Sequence, residues 1–101
     1  MSPRELISRL IGSSLELQDD EILEQLYFGQ DNHLSASLGM KGGWVCGPIL
    51  RYELCEDGRV KIGDDDEWLW VWDSMELSND RLTVQCGGQA KTYVMTPLAR
   101  R

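Results

Sequence analysis

The sequence has few residues of the kinds that bind metals or form disulfides. It contains three cysteines and a single histidine, His33. Cys46, Cys55 and Cys86 are odd in number, so they cannot all pair, and no two of them have a Cys-x-x-Cys spacing. A zinc site needs about four Cys or His ligands, and His33 is the only histidine. We therefore expect no metal or cofactor, and we expect the cysteines to be small packing residues in a reducing compartment.

Positive charge is also scarce, since ten Lys and Arg stand against 17 Asp and Glu and leave a net charge of −7. Such a surface repels the phosphates of nucleic acids and acidic membranes, so we expect neither as a partner. No apolar run approaches the ~20 residues that cross a bilayer. The first ten residues carry charges where a secretory signal needs an apolar stretch. Together these absences predict a cytoplasmic protein.

The common catalytic and nucleotide-binding motifs are missing as well. The chain contains no Gly-x-Ser-x-Gly, no Gly-x-x-x-x-Gly-Lys and no His-Glu-x-x-His. His33 follows a polar turn and is expected to be exposed rather than catalytic. The sequence therefore does not predict an enzyme. Its 101 residues, 42% hydrophobic and 27% charged, fit one globular domain over residues 1–101.

The clearest local pattern predicts a helix over residues 3–11. Ser2 and Glu5 form a capping box, and Gly12 is suited to end the helix. The apolar residues of one helical face are Leu6, Ile7, Leu10 and Ile11. Because so short a helix is not stable alone, it must lie on an apolar surface.

The segment after this helix allows two interpretations. Alternating apolar positions favour three short strands at Leu15–Gln18, Leu23–Phe28 and His33–Leu38, with a hairpin turn at residues 30–32. Alternatively, the acidic residues 19–21 could cap a second helix over about residues 20–28.

From residue 44 to about residue 96, alternation and turn residues predict an antiparallel meander. Loops are expected around residues 56–58, 63–67, 78–81 and 87–90, and a β-bulge near Asp73 and Ser74. The resulting cross-strand pairs are Leu54–Val60, Tyr52–Ile62, Ile62–Trp68, Val60–Trp70, Leu77–Leu82, Met75–Val84, Val84–Tyr93 and Leu82–Met95. Pro97 is expected to end the last strand and to begin a tail over residues 97–101.

The meander resembles the closing strands of a known family. The positions concerned are Trp44, Tyr52, Leu54, Asp57, Gly58, Val60, Trp70, Leu82, Val84, Tyr93 and Val94. They are similar to those of lipocalin-like (calycin) domains, small β-barrels that pack an N-terminal helix against a meander. The resemblance implies a mainly β fold, with an up-and-down antiparallel meander closed into a small eight-stranded barrel and one N-terminal helix. The alternative is an α+β fold with two N-terminal helices on an open antiparallel sheet.

Aromatic residues form the first candidate site. Trp68, Trp70 and Trp72 alternate along one strand, and in a barrel they would point inward together with Tyr52 and Tyr93. These five side chains are predicted to line a lumen that holds a small apolar ligand. Two other interpretations stay open: the rings only fill the barrel, or they face outward as a platform for a protein partner.

The second candidate site is the acidic loop formed by Asp64, Asp65, Asp66 and Glu67. The loop lacks the EF-hand spacing, so a Ca²⁺ site is not expected there. It is expected to be a solvated hairpin loop, or a docking surface for a basic protein. The sequence thus leaves two functions open. One is a non-catalytic carrier of a small apolar ligand, and the other is a small acidic inhibitor or immunity-type factor that binds a basic partner.

Overall fold

The computed structural model describes residues 2–97. It begins with the helix α1 (Pro3–Leu10), which confirms the helix expected over residues 3–11. Ser2 caps this helix, because its hydroxyl accepts a hydrogen bond from the backbone N–H of Glu5 at 3.2 Å. Gly12, with φ +84°, then turns the chain into the first strand. Of the tail expected over residues 97–101, only Pro97 lies within the described residues, and it ends the last strand.

Within residues 2–97, nine strands follow α1. They are β1 (Ser13–Leu17), β2 (Ile22–Phe28), β3 (His33–Met40), β4 (Val45–Cys46), β5 (Ile49–Leu54), β6 (Val60–Gly63), β7 (Trp68–Ser78), β8 (Arg81–Cys86) and β9 (Gln89–Pro97). Eight of them form a closed antiparallel barrel in the order β1, β2, β3, β5, β6, β7, β8, β9, and β9 pairs with β1 to close it. The short β4 is an extra strand that pairs with the second half of β3. The expected mainly β barrel with one helix is therefore confirmed.

The second helix considered for residues 20–28 does not form, because most of this segment is β2. Asp19 closes a turn instead of capping a helix. Its carboxylate accepts backbone N–H bonds from Glu21 at 2.8 Å and from Ile22 at 2.7 Å. These two bonds lower the pKa of Asp19 and fix the connection between β1 and β2.

Several of the expected turns and pairs are confirmed. Asp31 and Asn32 both have φ 61° in the expected turn over residues 30–32, where the Gly29 N–H donates to the His33 carbonyl oxygen at 2.8 Å. A bulge interrupts β7 between Trp72 and Ser74, as expected. The confirmed cross-strand pairs are Tyr52–Ile62, Leu54–Val60, Met75–Val84 and Leu77–Leu82.

The register between β6 and β7 was predicted wrongly by two residues. Val60 lies opposite Trp72 and Ile62 opposite Trp70, whereas the sequence analysis paired Val60 with Trp70 and Ile62 with Trp68. Two differences of one residue add up to this error. Gly63 pairs with Trp68, so the loop is one residue shorter than the expected 63–67, and an additional bulge leaves one residue of β7 over before Trp70. The two strands approach closely here. A Cβ added to Gly63 would lie 2.2 Å from the backbone oxygen of residue 67.

The register between β8 and β9 was also predicted wrongly by two residues. Tyr93 lies opposite Leu82 rather than Val84, and Met95 is not the partner of Leu82. The expected register requires a four-residue loop over residues 87–90. Residues 87 and 88 are glycines with φ 59° and 82°, so they form a two-residue turn and the pairing extends to the last residue of β8.

The hydrophobic core fills the barrel, and α1 covers one of its two ends. Leu6, Ile7 and Leu10 are buried against the strands, and Ile11 forms a bridge with Phe28 at the end of β2. The opposite end contains the first residues of β2 and β9. We call this opposite end the mouth of the barrel.

Candidate functional site

Four aromatic rings fill the middle of the barrel. Tyr52, Phe28, Trp72 and Tyr93 are buried, and successive ring centroids lie 4.8, 5.8 and 5.6 Å apart. The Tyr52 hydroxyl donates to the Gly29 carbonyl oxygen at 3.0 Å, and burial raises the pKa of this phenol. Three of the five residues predicted to line a ligand lumen, Tyr52, Trp72 and Tyr93, are therefore part of the packed core.

A cluster of three polar side chains lies between this core and the mouth. It consists of Glu24, Lys91 and Tyr93, and we call it the buried polar cluster. Lys91 Nζ lies 3.3 Å from Glu24 Oε1, and the Tyr93 hydroxyl donates to Glu24 Oε2. The side chain of Glu24 is 8% exposed and that of Lys91 is 26% exposed. Charged groups this deep in a protein need partners, and here each charge has one.

Strand alternation places these side chains inside the barrel. Glu24 shares a face of β2 with the buried Phe28, and Lys91 shares a face of β9 with the buried Tyr93. The tight turn at residues 87–88 sets Lys91 opposite the buried Val84. Neither Glu24 nor Lys91 is among the site residues predicted from the sequence. The available signal was an acid and a base that each occupy an apolar position of an alternating strand.

Within the buried polar cluster, the Tyr93 phenol keeps its proton. Burial raises the pKa of Tyr93 far above its usual value of 10.0, and the negative charge of Glu24 raises it further, so the phenol stays protonated and donates. The Lys91 ammonium has three N–H donors. Among residues 2–97, Glu24 is its one hydrogen-bond acceptor, which leaves two donors for solvent or a ligand.

Apolar side chains from β2 and β3 surround the cluster at the mouth. In the pairing of these strands Ile22 lies opposite Met40 and Glu24 lies opposite Leu38, so all four side chains share one face. Ile22 and Met40 belong to the large hydrophobic residues that remain exposed. An exposed apolar group next to a buried charge is a common arrangement in ligand sites.

Two tryptophans complete this apolar surface. Trp44 lies opposite Met40, whose N–H donates to the Trp44 carbonyl oxygen at 3.1 Å, and Trp44 is 68% exposed. Trp70 is half-buried, and the Lys91 ammonium lies 5.7 Å from its ring centroid. We call the surface formed by the following five residues the mouth rim: Ile22, Leu38, Met40, Trp44 and Trp70.

Trp68 does not share a face with Trp70 and Trp72, contrary to the sequence-based expectation. The bulge between Trp68 and Trp70 changes the alternation. The Trp68 ring instead stacks on Arg51, whose guanidinium carbon lies 3.8 Å from the ring centroid on the outer face of β5. The expected row is thus divided, with Trp72 in the core, Trp70 at the mouth and Trp68 on the outside.

The acidic loop is held in place by its own first residue. The Asp64 carboxylate accepts the backbone N–H groups of Asp66 and Glu67, each at 2.8 Å. These bonds lower the pKa of Asp64. Asp65, Asp66 and Glu67 are exposed. Of the four residues predicted to bind a partner, Asp64 shapes the loop and the other three present carboxylates to solvent.

The remaining candidate residues from the sequence are the histidine and the three cysteines. His33 is exposed at the start of β3, Cys46 is exposed, and Cys55 and Cys86 are half-buried free thiols. Within residues 2–97, no three or more His, Cys, Asp or Glu side chains are grouped so that they could hold a metal ion. In this same part of the chain, no helix has the length and apolar character needed to cross a membrane.

Comparison with protein-family models, with curated proteins and with solved structures gives no match for this chain.

Proposed function

We propose that this chain is a non-catalytic binding protein that holds a small, mainly apolar ligand at the mouth of its barrel. The observation that carries the proposal is a buried Glu24–Lys91 ion pair directly beneath an exposed apolar rim. The site predicted from the sequence is the lumen of the barrel, which lies further inside than the mouth rim. We move the site to the mouth because the rings of Phe28 and Trp72 occupy the middle of the barrel.

The ion pair supports a binding role because the fold does not need it. A buried ion pair is often no more stabilising than well-packed apolar side chains of similar volume. Three strands bring the parts together, since Glu24 lies on β2, Lys91 on β9, and β1 runs between them. A fold that keeps this costly arrangement at the barrel end opposite α1 has a site suited to a ligand with one polar end.

The rim and the cluster together suggest the shape of the ligand. Its apolar body would pack against Met40, Trp44 and Trp70, where large hydrophobic side chains are partly uncovered. Its polar end would present a hydrogen-bond acceptor to Lys91, which has N–H donors to spare.

A dye titration with matched variants tests this proposal. The probe is 8-anilinonaphthalene-1-sulfonate, an apolar anion whose emission rises in a dry site. We expect saturable binding that Ile22→Ser and Lys91→Met weaken. Tyr27→Ser is the control, since Tyr27 is an exposed residue of the same strand β2 on the outer face. Binding that all three variants leave unchanged, or that Tyr27→Ser weakens equally, would contradict a site at the mouth.

A second candidate function uses the acidic loop as a docking surface for a basic protein. The observation that favours it is that Asp64 organises the loop so that Asp65, Asp66 and Glu67 all face solvent. Charges at the solvent-exposed periphery of an interface act mainly on the association rate. An oligolysine peptide is the probe. Asp65→Asn/Asp66→Asn should slow its association and flatten the salt dependence, with unchanged stability.

A control variant separates the loop from net charge alone. Glu76→Gln/Asp80→Asn removes the same two charges from exposed positions on another hairpin. If the control slows association as much as the loop variant does, the effect comes from overall charge and the docking role of the loop is wrong.

A further inference from the structure

The strand β4 has a free edge at the mouth end of the barrel. β4 pairs with β3 through Leu38–Cys46 and Gly39–Val45, and it stands at the end of the strand order. The backbone oxygens of Trp44 and Pro48 accept hydrogen bonds from β3, each at 3.1 Å. Alternation then directs the N–H and C=O groups of residues 45 and 47 away from β3. We call residues 44–47 the β4 edge.

Within residues 2–97, no backbone hydrogen bond satisfies these outward groups. Natural proteins protect such edges with charged side chains or cover them with another segment. Among residues 2–97, no charged side chain lies on the β4 edge and no segment pairs with it, so only its shortness and Pro48 limit it. Trp44 is 68% exposed, Val45 is 51% exposed, and Ile49 just beyond the edge is 67% exposed.

The charge around the edge is also unusual for this protein. The whole chain has 17 acidic residues, but the segment 38–50 contains none and has Lys41 as its only charge. Two copies of a protein with net charge −7 repel each other over most of their surfaces. This segment is a place where two copies can approach without bringing acidic groups together. A basic partner would instead be attracted to the acidic loop.

We propose that the β4 edge pairs antiparallel with the β4 edge of a second copy of this chain. An antiparallel edge is complementary to itself, as a twofold dimer interface requires. The groups of residues 45 and 47 point outward, so Val45 of one copy lies opposite Gly47 of the other. Pro48 lacks an N–H and ends the pairing, which favours this register over longer ones.

This register places Cys46 on the twofold axis. It lies opposite Cys46 of the second copy in a non-hydrogen-bonded pair, where Cα atoms are about 4.5 Å apart. That separation lies within the range a disulfide can span, about 4.4–6.8 Å. Trp44 belongs to both the mouth rim and the β4 edge, but the backbone groups of residues 45 and 47 form the dimer. The dimer therefore does not require a ligand at the mouth, and the two proposals can fail separately.

The first experiment measures the oligomeric state by sedimentation equilibrium over a wide range of protein concentration. We expect a reversible dimer. Gly47→Pro removes the outward N–H and should weaken the dimer about tenfold or more. Gly47→Ala is the matched control because it keeps the N–H. Gly47 does not have a positive φ, and an added Cβ makes only an ordinary contact, 3.6 Å from the Ala36 oxygen.

A second variant guards against local misfolding of Gly47→Pro. Val45→Lys keeps the backbone of β4 and places a charge on the edge of each copy, so it should also weaken the dimer. A monomer at every concentration would overturn the proposal. So would a dimer that both Val45→Lys and Gly47→Pro leave as tight as Gly47→Ala does.

The second experiment identifies the register by oxidation with copper phenanthroline. Two Cys46 thiols lose their protons to solvent and form one S–S bond, and two Cu(II) ions each accept one electron. We expect rapid formation of a covalent dimer that Cys46→Ser abolishes and Cys55→Ser leaves intact. Loss of the cross-link in Cys55→Ser, with retention in Cys46→Ser, would show that the copies meet elsewhere.

Discussion

Removing the charge of Lys91 tests whether the buried polar cluster contains a stabilising ion pair. In Lys91→Met, the Glu24 carboxylate keeps the Tyr93 hydroxyl but loses its cation while its side chain stays 8% exposed. Breaking a fully buried ion pair costs ~3–5 kcal/mol. Solvent screens part of this interaction because Lys91 is 26% exposed. We therefore expect Lys91→Met to lower the free energy of unfolding by about 2–3 kcal/mol.

The double variant Glu24→Gln/Lys91→Met provides the control. The glutamine oxygen can still accept the Tyr93 O–H bond, and no charge remains buried. Its free energy of unfolding should therefore lie within about 1 kcal/mol of the parent protein, although it contains the damaging Lys91→Met change. This recovery distinguishes a lost ion pair from a lost packing contact of the lysine stem, which the double variant would not restore.

Urea unfolding followed by tryptophan emission measures these values, with Trp72 as a buried reporter in the core. The single variant Glu24→Gln completes a double-mutant cycle. Glu24 and Lys91 do not form a stabilising ion pair if Lys91→Met changes the free energy of unfolding by less than about 0.5 kcal/mol. The ion pair is equally refuted if the double variant is as unstable as the sum of both single changes, because independent groups add in this way.

Three further predictions concern the core and the loop. The raised pKa of Tyr93 means that its neutral form stabilises the fold below pH 10.0 and that this contribution is lost as the pH rises above that value. The urea midpoint of the parent protein should therefore be lower above pH 10.0 than below it, and this difference should be smaller for Tyr93→Phe. The lowered pKa of Asp64 means that its contribution is present above pH 3.8 and is lost as the pH falls below it. A carboxyl NMR titration should give Asp64 a midpoint below 3.8, and a midpoint at or above that value would contradict the loop geometry. Trp72→Ala should cost ~3–5 kcal/mol because it empties the core, whereas Trp68→Ala should cost only about 0.5–1 kcal/mol for the lost Arg51 contact. Denaturant unfolding that ranks these two variants in the opposite order would show that the inner and outer faces of β7 are exchanged.

The architecture was predictable because short-range chemistry determines most of it. Ser2 and Glu5 determine where α1 begins, and the turn at Asp31 and Asn32 joins two alternating strands. Each of these features involves neighbouring residues, so it can be recognised without knowing the rest of the fold. The choice between helix and strand at residues 20–28 was harder, because Asp19 suits either a helix cap or a turn.

The registers were less predictable than the strands. A shift of two residues keeps every side chain on the same face, so alternation alone cannot exclude it. Loop geometry decides between the alternatives. The left-handed glycines at residues 87 and 88 shorten one turn, and a bulge before Trp70 shifts another register. Errors of this size leave the core composition unchanged, yet they change which side chains meet across the barrel.

The candidate site depends on contacts between side chains of different strands, and alternation along a single strand does not predict such contacts. Glu24 and Lys91 are 67 residues apart in sequence and lie on strands that β1 separates. Considered alone, each is a charged residue that interrupts an apolar strand face, which also describes a solvated edge position. Closure of the barrel brings them together, and closure requires β2, β1 and β9 to be neighbours. Two opposite charges on inward faces of strands close to one another in a barrel are therefore best read as a pair. In this chain, the barrel topology and the two inward charges are enough to predict the Glu24–Lys91 pair at the mouth, and the tryptophan row is not needed.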